Sequence, residues 1–204
     1  MAALDSLAGA VSTGAFPPAA NGAMEKPVGG GVQAVERLIL MRHGEAERPA
    51  PGLRDFDRAL DAEGRTESRN VGTAMAKAGV VPDLALVSAA TRTLETWRAV
   101  AEAFPSATME EDPALYAASA VRLASAVAAA ALRARTLILV GHNPGIHQYA
   151  IHLARQGGAA RGAAGVLYER FPTGTAAVFA VGPGGTPSLE RMFVAKDYRG
   201  KARP

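Results

Sequence analysis

The 204-residue chain contains no cysteine, which removes disulfide bridges, thiolate metal sites and a cysteine nucleophile together. Aromatic residues are few, so a core has to be assembled from Val, Leu, Ile and Ala carried on strands and helices. There is no dense lysine and arginine run with interleaved aromatics, and the formal net charge is only +3; no nucleic-acid partner is expected. The closing RGKARP is basic, but it reads as a frayed end. A long apolar run is also missing. The alanine-rich stretch 117–134 is interrupted by Arg122 and Arg133 and offers little large apolar surface, so no membrane span or membrane partner is expected. The first basic residue is Lys26, which leaves the opening MAALDSLAGAVSTGAF without the charged region of a secretory signal. These absences fit a soluble, cytoplasmic protein.

What is present suits one domain of ordinary size. Residues 1–34 are rich in Ala, Gly, Pro and Ser without sustained periodicity, and are expected to form a disordered leader, with Met24 as a later candidate start. A single domain then covers 35–204. Within it, ERLILM, DLALVS, ATMEED and TLILV read as strands, and 62–78, 91–104, 119–133 and 144–155 as helices. Strand and helix alternate as in βαβ units, which predicts an α/β fold: a mostly parallel sheet covered by helices on both faces. After a glycine-rich loop at 157–165, TAAVFAV and SLERMFV flank the turn GPGGTP and predict an antiparallel hairpin at the sheet edge. That glycine cluster lacks the Lys-Ser/Thr ending of a phosphate loop and opens no helix, so it reads as a turn.

Two of the strands end alike: LILMRHGEAE stops at His43 and LILVGHNPG stops at His142. Ligands of a parallel sheet bind beyond the carboxyl ends of its strands, so both histidines are site candidates. Asn143 and Pro144 are placed to cap and open the following helix, turning free backbone N–H groups toward an anion. Arg42 adjoins His43, Arg92 follows the second strand in SAATRTLET, and Arg58 lies in DFDRAL. Guanidinium groups grip phosphate oxygens in pairs, and several near an imidazole keep it neutral and nucleophilic. Arg58 and Arg92 have an alternative use as salt-bridge partners of Asp55, Asp57 or Glu95. His147 and His152 are five residues apart on a predicted helix, on different faces, and read as packing or surface residues rather than a zinc site.

These segments together resemble the histidine phosphatase superfamily, the phosphoglycerate mutase-like group, and within it the SixA-type phosphohistidine phosphatases. RHG resembles the signature carrying a nucleophilic His43 and phosphate-binding Arg42, with Gly44 beside them. DFDRAL followed by GR, SAATRTLET and GHNPG resemble the segments that place Arg58, Arg92, His142 and Asn143 at the phosphate. LYAAS and FPTG resemble the SixA-like branch. The resemblance implies a three-layer α/β/α sandwich and a phosphatase that needs no metal or other cofactor. In it, His43 attacks phosphorus and is transiently phosphorylated, while Arg42, Arg58, Arg92 and a protonated His142 neutralise the equatorial oxygens.

One departure bears on substrate. Many members carry a Glu or Asp general acid soon after the third strand, where this chain has Leu115 and Tyr116 in DPALYAAS; Glu110, Glu111 and Asp112 lie nearby, and none of them is assigned the role. An alkoxide leaving group needs a proton more than the imidazole of phosphohistidine does. The gap favours a P–N substrate, with a phosphorylated histidine-containing phosphotransfer protein as the expected partner. The rivals are a phosphatase of small phosphomonoesters, a mutase, a non-catalytic module that binds phosphorylated proteins, and a metal-dependent hydrolase. Long insertions over the pocket and a clear acid, usual in mutases, are not found, nor is an acidic or multi-histidine cluster for a metal.

Overall fold

A computed structural model describes residues 35–158 and 165–199. The expected leader and the last residues of the basic tail lie outside them, as does most of the glycine-rich loop.

The sheet has six strands: β1 (Arg37–Arg42), β2 (Leu84–Ser88), β3 (Thr108–Asp112), β4 (Thr136–Gly141), β5 (Ala176–Val181) and β6 (Pro187–Phe193). Their order is β3-β2-β4-β1-β5-β6. The first four are mutually parallel, and β5 and β6 continue antiparallel beside β1. The expected mostly parallel sheet with an antiparallel edge is therefore present. The hairpin turns through Gly184 and Gly185, both at positive φ, where a side chain would be strained.

Alternation along the strands builds two cores. Leu38 and Leu40 of β1 pack on one face with Leu137 and Leu139 of β4, while Ile39, Met41, Ile138 and Val140 point to the other. The first face is covered by α3 (Ala120–Ala130), α4 (Gly145–Gln156) and the short α5 (Gly165–Glu169). The second face is covered by α1 (Ala62–Lys77) and α2 (Thr91–Ala101), which bury Val71, Met75, Trp97 and Val100. Central strands buried on both sides explain why β1, β2 and β4 read as unbroken apolar runs.

Helix ends follow local chemistry with one exception. Asp61 caps α1 by accepting from Gly64 N–H, and Ser119 caps α3. At α4 the expectation fails: Pro144 is the capping residue and no side chain caps it. Asn143 instead uses its Nδ2 to donate to Phe171 O at 3.0 Å, so its amide serves as a donor across the fold and not as a helix cap. The five-residue α5 has too short a period to announce itself in sequence.

α1 is drawn tightly onto the loop after β1. Asp61 N–H donates to Glu45 O, and a Cβ on Gly64 would lie 2.1 Å from that carbonyl. Backbone cannot yield as a side-chain tip can. Gly64→Ala is therefore expected to lower unfolding free energy by about 1–3 kcal/mol, read as a shift in the urea midpoint; an unchanged midpoint would contradict the close approach.

Candidate active site

The parallel register of β1 and β4 pairs Arg42 with Gly141, so the next residue on each strand is a histidine. His43 N–H extends the ladder to Gly141 O at 3.0 Å. The two imidazoles come to rest with ring centroids 5.3 Å apart. His43 is fixed further by Gly174 N–H, which donates to its carbonyl at 2.8 Å, and Arg42 N–H donates to Thr175 O. The FPTG segment thus holds the end of β1 from the side.

The hydrogen-bond partner of His43 fixes its tautomer. His43 Nδ1 lies 2.7 Å from Gly44 O, and because a carbonyl only accepts, Nδ1 carries the hydrogen and Nε2 keeps a lone pair. His142 Nε2 is 2.9 Å from Ser88 Oγ. His142 Nδ1 is buried without a protein partner. The His43 ring therefore presents a lone pair on Nε2 to the site.

Both rings are neutral. Burial, then the positive charges of Arg92, Arg42 and Arg58, hold His43 at about 4 against a hydrogen bond to Gly44 O that works the other way. Burial, followed by His43 and Arg92, holds His142 at about 3. The expected neutral His43 is present, with desolvation a larger cause than the arginines. In the free site the expected protonated His142 is not found, because burial, His43 and Arg92 outweigh the Asp55 carboxylate and favour the neutral ring.

The arginines meet around these rings. Arg42 Nη1 donates to Phe171 O at 3.0 Å, and its Nε is buried without a protein partner. Arg92 is almost fully buried and is held by Asp55, whose main-chain oxygen and Oδ2 accept from Nη1 and Nη2 at 2.5 and 2.9 Å. Arg58 gives Nε and Nη2 to Glu47 O and Nη1 to Asp55 Oδ1. Both uses of Arg58 and Arg92 read from the sequence thus coincide: they surround His43 and they pair with Asp55, whereas Glu95 pairs with Arg65. Gly44 lies in the cluster, but its N–H is committed to Thr96 Oγ1 at 2.9 Å.

Three contributors have no role in the sequence reading, and a fourth, Asp55, enters it only as a salt-bridge partner. Ser88 ends β2 and orients His142; Thr96 on α2 fixes the loop at Gly44; Asp55 joins the arginines; Tyr116 donates to Asp55 Oδ2 at 2.9 Å and turns its ring edge toward His142 at 5.4 Å. Ser88 carried a signal as the last residue of a buried strand beside β4, and Asp55 as an ion-pair candidate for the two arginines. Arg58 and Tyr116 hold the Asp55 carboxyl far below the usual carboxylate range. His147 packs its ring on Phe171 and bonds Leu167 O, and among the described residues no group of three or more His, Cys, Asp or Glu side chains could hold a metal ion.

This arrangement of two neutral imidazoles within a fork of guanidinium groups can take a tetrahedral anion, with a nitrogen lone pair aimed at its centre. The histidine phosphatase superfamily (branch 1) profile matches residues 38–120, which include Arg42, His43, Arg58, Arg92 and Tyr116. Over that span the chain carries the pattern of the histidine phosphatase superfamily. An uncharacterised chloroplastic protein of Arabidopsis thaliana is 29% identical over 160 residues, 73% of either chain. The solved SixA protein of Agrobacterium tumefaciens, a candidate phosphohistidine phosphatase, is 29% identical with a TM-score of 0.70, covering 78% of this chain and 98% of its own. Its counterpart from Nakamurella multipartitia is 27% identical with a TM-score of 0.66, covering 78% and 95%. The fold is thus the phosphoglycerate mutase-like α/β sandwich of these phosphatases.

An imidazole NMR titration of the free protein should place His43 near pH 4. A midpoint near the ordinary histidine value would contradict the burial argument. The same shift fixes a sign for stability: between the unfolded and folded values only the unfolded chain takes up protons, so stability declines as pH falls through that window.

Proposed function

We propose that the protein is a metal-independent phosphatase that removes phosphate from phosphohistidine by way of a phosphorylated His43. Its partner is a phosphorylated histidine-containing phosphotransfer protein, met in the cytoplasm. The observation that carries this reading is the neutral His43, with Nδ1–H spent on Gly44 O and Nε2 free within the cluster of Arg42, Arg92 and His142. Nε2 attacks phosphorus in line, the guanidinium groups and His142 Nδ1–H stabilise the equatorial oxygens, and water then releases the phosphate.

The choice of a P–N substrate has two supports. One is the likeness to the two SixA proteins. The other is the carboxylate beside Arg92: Asp55 is ionised throughout the neutral range and has no proton to give to an alkoxide. A phosphatase of small phosphomonoesters is the second reading, and it requires a proton donor that these residues do not supply.

The test uses purified protein with a histidine-phosphorylated peptide and an alkyl phosphomonoester, with and without a chelator. The peptide should turn over faster by about 100-fold or more, the scale of a missing general acid, and the chelator should have no effect. His43→Ala should abolish turnover while still unfolding cooperatively. Equal rates on the ester would favour the second reading, and phosphate binding without turnover would reduce the protein to a binding module.

A further inference from the structure

We infer that Asp55 selects the leaving group: its carboxylate accepts a hydrogen bond from the free ring N–H of a phosphorylated imidazole, favouring phosphohistidine over phosphate esters. The inference rests on the phosphatase reading above and supplies its recognition element.

Asp55 opens the short 3-10 turn Asp55–Asp57 that follows the loop after β1. Three donors clamp its side chain: Arg58 Nη1 on Oδ1 at 2.8 Å, and Arg92 Nη2 and Tyr116 OH on Oδ2, each at 2.9 Å. An ionised carboxylate offers about four lone-pair directions, so Oδ1 retains one. The side chain is also 53% exposed, whereas that of Arg92 beneath it is 7% exposed. One edge of the carboxylate is therefore built into the anion cluster and the other is open to an arriving group.

The surroundings suit a flat ring. Phe56 and Tyr116 meet edge to face with centroids 5.0 Å apart, and Tyr116 in turn borders His142. The Tyr116 phenol bridges Asp55 to the His142 ring, so the open carboxylate edge lies one side chain away from the reacting cluster. An aromatic wall beside a fixed negative charge is a surface for a cationic heteroaromatic ring, and a phosphorylated imidazole protonated on its other nitrogen is such a ring.

The chemistry balances without an added proton. His43 Nε2 donates its lone pair to phosphorus, the P–N bond of the substrate breaks, and its electron pair returns to the substrate ring. That ring leaves as neutral imidazole, still carrying the N–H that Asp55 accepts. In the second step water oxygen bonds to phosphorus, the Nε2–P electron pair returns to His43, and both water protons depart with the phosphate. In the first step an ester would have to leave as an alkoxide, and an ionised Asp55 would oppose it.

The experiment compares kcat/KM of wild type and Asp55→Asn on a histidine-phosphorylated peptide and on p-nitrophenyl phosphate, whose weakly basic leaving group needs no help. The ratio of peptide to p-nitrophenyl phosphate should fall by about tenfold or more, the scale of a hydrogen bond to a charged group. Tyr116→Phe, which removes one of the three clamping donors, should move the same ratio in the same direction by about threefold; it keeps the inference testable if Asp55→Asn does not fold. Equal losses on both substrates, or an unchanged ratio, would overturn the inference and leave Asp55 as a support for Arg92. Wild-type protein that cleaves p-nitrophenyl phosphate but never the peptide would instead overturn the phosphohistidine reading itself.

Discussion

The site depends on the parallel ladder between β1 and β4. Because Arg42 pairs with Gly141, the chain leaves both strands at the same height, and the residue that leaves each is a histidine. A slip of one residue would carry the His43 side chain to the other face of the sheet, away from the His142 ring. The register is protected by burial on both sides of the sheet, where Leu38, Ile39, Leu40 and Met41 each have a core to fill. Function at the strand ends thus inherits its precision from apolar packing several residues away.

Burial at those ends sets the chemistry as well as the position. Taking two imidazoles and three guanidinium groups out of water costs the charged forms most, and the histidines respond by remaining neutral. Arginine cannot respond in that way, so the cations need a partner, which Asp55 provides to Arg58 and Arg92 together. His43 keeps a lone pair because of this division. His142 is held in place by Ser88 Oγ.

Much of this was legible in the sequence because it is periodic or punctuated. Unbroken apolar runs gave the buried strands, and RHG and GHN stood out because polar residues end those runs abruptly. The antiparallel hairpin followed from its glycine turn. What escaped was geometry between distant segments. Asp55 and Tyr116 are 61 positions apart, and neither a half-exposed turn carboxylate nor a loop tyrosine signals that the two meet beside Arg92. Asn143 misled for a related reason: its residue type favours capping, but an amide is both donor and acceptor, and the carbonyl of Phe171 claimed the donor. The charge of His142 was likewise unreadable, since it depends on how completely the ring is enclosed.

The most direct test of the central claim is a crystal structure with orthovanadate, which adopts the geometry of phosphorus under attack. The account predicts vanadium bonded to His43 Nε2, with its equatorial oxygens on Arg42, Arg92 and His142 Nδ1. Vanadate bonded to Nδ1, or seated away from the carboxyl ends of β1 and β4, would contradict it.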